Sequence, residues 1–135
     1  MIDDLLILLG RFHHLIIHLP IGFIVLGVLI ELNKNNLKWS KEALQFIFFW
    51  ASLSGIFSII TGYFQYQKEG YLWETIQGHL IAGILTVILS FTFYLYLKRN
   101  SVFESFKTRL FSFGHILLLT ITGHLGGNIT HGEDH

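Results

Sequence analysis

Eight histidines in a chain without cysteine define the chemistry to be explained. They stand at positions 13, 14, 18, 79, 115, 124, 131 and 135. Imidazole nitrogens coordinate haem iron, copper and zinc. The absence of cysteine excludes disulfides, thiolate zinc sites, thiolate-bound iron–sulfur clusters and haem attachment through Cys-x-x-Cys-His. No nucleophile–base arrangement or phosphate-binding loop accompanies the histidines, so a hydrolase or a nucleotide enzyme has no support. The question is which elements deliver the imidazoles, and whether they deliver them to one place.

The elements are apolar. Hydrophobic residues make up 52% of the chain and charged residues 13%, with a mean hydropathy of +0.56. Charge is thus far below that of a soluble domain. Formal net charge is zero and there is no basic patch, which argues against a nucleic-acid partner. The acidic start, Met1-Ile-Asp-Asp, lacks the basic stretch of a signal peptide.

A bilayer core of about 30 Å needs about 20 apolar helical residues. Four segments qualify, at about 15–32, 44–66, 79–97 and 110–125. Short connections between them predict a single all-α domain over 1–135, an integral membrane up-down four-helix bundle. Residues 3–9, "DDLLILL", are too few to span and are expected along the interface. Lys34, Lys38, Lys41, Lys98, Arg99, Lys107 and Arg109 fall on one side, against Arg11 and Lys68 on the other. The positive-inside rule then puts both termini on the non-cytoplasmic side, which for a bacterial inner membrane is the periplasm. Trp39 and Trp73 fall at opposite boundaries, where interfacial anchors belong. No internal repeat is visible, although Gly-His recurs at 78–79, 114–115 and 123–124.

This topology gathers the histidines. His13, His14 and His18 fall at the outer end of the first helix, His79 opens the third, and His124 closes the fourth. His131 and His135 follow just beyond. His115 alone lies deeper, about 13 Å further in at 1.5 Å per residue, and is expected to bond a Ser, a Thr or a carbonyl in the bundle. Ionisable residues inside a membrane usually face a bundle interior or a water-filled cavity. Three helices placing imidazoles at one depth suit a shared metal centre. Gly22, Gly62, Gly78, Gly83 and Gly123 fit a macrocycle between helices, or equally close helix packing. His14 and His18 are about 40° apart around a helix, His13 and His18 about 140°, so the latter two cannot serve one point unless Pro20 breaks the helix. A break at Pro20 would free the Ile16 carbonyl for a neighbouring imidazole. The closing stretch "TGHLGGNITHGEDH" (122–135) explains itself if Gly126-Gly127 end the helix and a reversal returns His131 over the mouth of the bundle. For His135 a solvated terminus is the simpler expectation.

The stretches "RFHHLIIHLPIG" (11–22), His79 and "GHLGGNITHG" (123–132) together resemble a bacterial family of uncharacterised four-helix, histidine-rich membrane proteins. The chain departs from the family pattern at His14, where a proline is usual. Members occur fused to or beside Rieske and c-type cytochrome domains. The resemblance therefore implies a redox setting with bound haem b, and His13, His18, His79, His124 and His131 as the matching positions.

The expected function is a haem b-binding, cytochrome-like subunit in electron transfer near the periplasmic face. Two of His18, His79 and His124 would be axial ligands. The pair His18 and His79 is favoured because the first and third helices are diagonal. His13, His14 or His131 would support them or serve a second haem, one haem being the simpler count. The partners would be lipid, a c-type cytochrome or Rieske protein, or a quinol, with homo- or hetero-oligomers left open. A second reading is a copper or zinc protein using the same His18, His79 and His124. A third is a structural subunit whose histidines only make hydrogen bonds.

Overall fold

The structure is a computed structural model that describes residues 8, 10–36, 40–100 and 105–131, with His131 as backbone only. All regular structure among the described residues is helical. Four helices are long and apolar enough to cross a membrane: α1 (His13–Leu32), α2 (Ser40–Glu69), α3 (Trp73–Arg99) and α4 (Ser105–His131). In hydrocarbon a backbone must satisfy its own polar groups, and a helix does so within one segment.

Local chemistry sets the ends. α1 is built of two pieces, His13–Ile16 and His18–Leu32, with Ile17 between them. Pro20 is the cause: it has no N–H for the Ile16 carbonyl and its ring crowds that turn. The neighbouring bond from the Ile21 N–H to the Ile17 carbonyl is stretched to 3.4 Å. α2 stops at Gly70, whose φ of +69° is a left-handed conformation that glycine adopts without strain. The Gly70 N–H closes the last turn on the Tyr66 carbonyl at 3.2 Å.

Side-chain contacts fix the helix directions. His13, at the start of α1, bonds Thr61 near the end of α2. Gln45, at the start of α2, donates to the Leu97 carbonyl near the end of α3 at 3.0 Å. His79 bonds the Thr122 carbonyl towards the end of α4. Consecutive helices are therefore antiparallel. The main packing is between consecutive helices and between α1 and α4, which leaves α1 diagonal to α3 and α2 to α4.

The bundle is polar inside and apolar outside. Ser52, Ser54, Ser58, Thr61, Thr86 and Ser90 are buried, while Leu15, Leu29, Phe57, Ile88 and Phe113 are exposed. Each hydroxyl is satisfied by its own helix, as in Ser52 to the Phe48 carbonyl at 2.7 Å and Thr86 to the Ala82 carbonyl at 2.8 Å. Small hydroxyl residues let the helices approach, and the apolar outer faces suit lipid. This distribution is consistent with a multi-pass membrane protein. The well-packed core occupies only one half of the bundle. It comprises Ile24, Val28, Leu44, Phe48, Ala51, Phe93 and Leu97, with Phe48 and Phe111 each 4.6 Å from Phe93 between ring centroids.

The helices outrun the apolar stretches that announce them. α2 begins at Ser40 rather than near 44, α3 at Trp73 rather than 79, and α4 spans Ser105–His131 rather than 110–125. Hydropathy marks the membrane-facing part of a helix, and polar turns continue beyond it. The reversal expected at Gly126-Gly127 does not form: α4 runs straight through both glycines to His131. Trp73 stands half-exposed at the start of α3. Trp39, most of 3–9, and His135 lie outside the described residues.

Candidate functional site

Above the packed half, the end that carries His13 and His79 encloses a cavity of about 370 Å³. That size falls within the range of small-molecule and cofactor sites. Its walls are mostly apolar, with Ile17, Ile21 and Ile24 from α1, Ile59 from α2, Leu80 and Val87 from α3, and Leu119 and Ile129 from α4. His13, His14 and His79 are the imidazoles in the lining, and Tyr63, Tyr66 and Tyr71 add phenols.

Two of these imidazoles are held alike. His13, on α1, makes its hydrogen bond through Nδ1 to Thr61 Oγ1 on α2, at 3.2 Å. The Thr61 hydroxyl itself donates to the Phe57 and Ser58 carbonyls. With the hydroxyl so used, its oxygen can accept an Nδ1–H, the tautomer that leaves a lone pair on Nε2. His79, on α3, donates its Nδ1–H to the Thr122 carbonyl on α4 at 2.9 Å. A carbonyl only accepts, so the tautomer is again the one with a lone pair on Nε2. A metal-binding histidine is commonly oriented in this way, by its other nitrogen.

Each ring also lies in a notch cut by a glycine. A Cβ on Gly62 would come within 2.9 Å of Cε1 of His13. A Cβ on Gly126 would come within 2.9 Å of Cε1 of His79. Gly83 and Gly123 line the cavity with open space beside them. The α1–α2 hairpin and the α3–α4 hairpin thus repeat one device: an imidazole leans across to the next helix, takes an anchor there and fits against a glycine. A short sequence echo marks it, Ile60-Thr61-Gly62 and Ile121-Thr122-Gly123. The sequence reading found no repeat because three residues are too few to show without the helix pairing.

The other candidates fall elsewhere. His14 is exposed at the rim, with its Nε2 3.0 Å from the Gln65 amide nitrogen. His18 is exposed, outside the cavity lining, and its Nδ1–H is used on the His14 carbonyl at 2.6 Å. The acceptor is thus His14 and not the Ile16 carbonyl that Pro20 sets free. His124 is exposed and also outside the lining. His131 ends α4, and its side chain lies outside the described residues. Of the expected residues, the cavity lining brings together His13, His14 and His79, and it leaves out His18 and His124.

Helical periodicity gives the reason. The cavity stripe of α1 passes through 13, 17, 20, 21 and 24, and continues into the buried Gly27, Val28 and Glu31. At about 100° per residue His18 lies roughly 115° around the helix from the centre of that stripe, while His14 sits at its edge. On α4 the stripe runs through 119, 122, 123, 126 and 127, which leaves His124 outside. Extending the small and polar residues Gly27 and Glu31 backwards by turns would have selected His13 from sequence.

Comparison of the chain with protein-family models, with curated proteins and with solved structures gives no match. The chemistry must be read from the geometry. Among the described residues no group of three or more His, Cys, Asp or Glu is placed to hold a metal ion. Zinc sites built by protein need three or four such ligands. Haem iron needs only two from the protein, because the macrocycle supplies the rest. Two oriented imidazoles from diagonal helices line the same apolar cavity, with open space beside Gly83 and Gly123.

Proposed function

We propose that the chain is a membrane-embedded, cytochrome-like subunit that binds one haem b between His13 and His79 and passes electrons. The observation that carries this reading is the duplicated histidine device: two rings from diagonal helices, each anchored through Nδ1 beside a glycine, both lining one cavity. In the bound form the iron would supply reversible one-electron chemistry. The residues would hold it, fix its axial rings and keep it in an apolar surrounding, the levers by which proteins tune such a centre. Lys34, Lys41, Lys98, Arg99, Lys107 and Arg109 lie at the end away from the cavity, against Arg11 and Lys68 at the cavity end, which supports a periplasmic histidine end of an inner-membrane protein. A donor such as quinol in the bilayer and an acceptor such as a c-type cytochrome or Rieske protein outside would fit that placement.

The test is a visible spectrum of detergent-purified protein from haem-replete cells. A Soret band with reducible α and β bands is expected. It should be lost in His13→Ala and in His79→Ala and retained in His18→Ala and His124→Ala. Copper or zinc by elemental analysis without the Soret band would support the metal-ion reading instead. Neither signal would leave a purely structural subunit.

A further inference from the structure

We propose that His115 and Ser90 form a proton-accepting site in the bundle interior, loaded when the redox centre in the cavity is reduced. His115 is fully buried and plays no part in the cavity lining. Its Nδ1 lies 2.7 Å from the Phe111 carbonyl, which only accepts, so Nδ1 carries a proton. Its Nε2 lies 3.1 Å from Ser90 Oγ. The same Ser90 oxygen lies 2.9 Å from the Thr86 carbonyl.

Ser90 therefore has one proton and two acceptors. With the ring neutral, the hydroxyl donates to Nε2. With the ring protonated, Nε2–H donates to Ser90 Oγ, and the hydroxyl turns to the Thr86 carbonyl. Either way the ring keeps both hydrogen bonds, so gaining a proton leaves neither of its nitrogens unpaired. Protonation therefore breaks no hydrogen bond of the ring, and burial of the charge is the cost that remains.

A second buried polar cluster lies one turn away. Lys34 and Thr108 both bond Oε1 of Glu31, while Oε2 has Ser112 at 3.3 Å. Ser112 lies one turn from His115 on the same face of α4. On the neighbouring elements Glu31 of α1 and Lys34, just beyond its end, are buried titratable groups and Tyr96 of α3 packs on Phe93 and Phe111, whereas α2 meets the ring with Phe48. Thr86, which takes the Ser90 proton, lines the cavity. The site is thus one hydrogen bond removed from the chamber. Reduction of a group held in the cavity would add one electron from its donor, and uptake of one proton at Nε2 would balance that charge. This coupling rests on the haem reading, but the hydroxyl switch does not.

The test uses the full chain, labelled with 15N-histidine and purified in detergent. The His115 ring signals are those absent in His115→Asn; if that variant does not fold, Ser90→Ala identifies them as the signals it displaces. Spectra are recorded across pH, before and after reduction with dithionite. The ring should pass from neutral to imidazolium as pH falls, at a higher pH in the reduced protein. Ser90→Ala should lower its proton affinity about tenfold or more. A ring that stays neutral throughout, or titrates identically in Ser90→Ala, overturns the site. Equal titration in both redox states of a protein with a Soret band overturns the coupling alone. Absence of a Soret band defeats the haem reading and the coupling, and the pH series then decides the His115–Ser90 switch by itself.

Discussion

The two ends of this bundle treat buried polar groups in opposite ways. At the far end Lys34 meets Glu31 at 2.7 Å, Thr108 and Ser112 complete the carboxylate, and aromatic rings close over the cluster. Lys34 also bonds Thr108 directly. Among the described residues both carboxylate oxygens of Glu31 are engaged. At the near end two imidazoles are held by one nitrogen each, and the space before them is kept clear by glycine. The same four helices therefore spend their polar residues once on closure and once on access. Unused coordinating capacity, rather than histidine number, separates a site from a strut.

Breaking the near end should have the largest effect. His79→Ala or His13→Ala should reduce bound haem to background, read as absorbance per protein after purification. The variants should still fold, because the packed core lies in the other half. If both retained full absorbance, the assignment of these two rings would be lost.

Breaking the far end should cost stability rather than cofactor. Lys34→Met strands the Glu31 carboxylate among buried groups, a change that typically costs about 3–5 kcal/mol. The double variant Glu31→Gln with Lys34→Met should recover part of it, as an uncharged pair strands no ion. Unfolding in detergent against a denaturant series measures both. Equal losses in the single and double variants would show that the ion pair is not what holds α1 to α4.

Much of the fold was legible because hydropathy is a property of segments: all four spans and their antiparallel order follow from it. The helix ends were not, since 73–77 and 126–131 each hold too few apolar residues to raise the local hydropathy and are still helical. Gly126 reads as a helix stop in isolation, yet its role is to make room for the His79 ring. His79 was legible as a site residue because it is the one imidazole of its helix. His13 was set behind His18 because position along a helix was weighed before rotation around it. Thr61, Thr122 and Gly62 carried no signal of their own; they acquire a role only once α1–α2 and α3–α4 are paired.

The glycines sharpen the contrast between a notch and open space. Gly126→Ala places a methyl 2.9 Å from Cε1 and 3.2 Å from Nδ1 of His79. The ring must move off its anchor, with a penalty of about 1–3 kcal/mol for overpacking. Gly123→Ala meets nothing within 4 Å. Haem occupancy should fall in the first and stay near wild type in the second. A matching loss in both would point to helix packing instead of ring clearance.

The smallest effect separates the two rings from each other. His13 is anchored by a side-chain hydroxyl and His79 by a backbone carbonyl. Thr61→Val keeps the shape but removes the acceptor, at a cost of about 0.5–1.5 kcal/mol. The Ser58 carbonyl, which Thr61 no longer occupies and which already reaches the His13 ring, recovers some of that. Thr122→Val changes a hydroxyl that bonds the Leu118 carbonyl and leaves the acceptor of His79 in place. Electron paramagnetic resonance of the oxidised protein reads the relative orientation of axial rings. Thr61→Val should broaden or shift that signal, while Thr122→Val should preserve it, because a backbone anchor survives what a side-chain anchor does not.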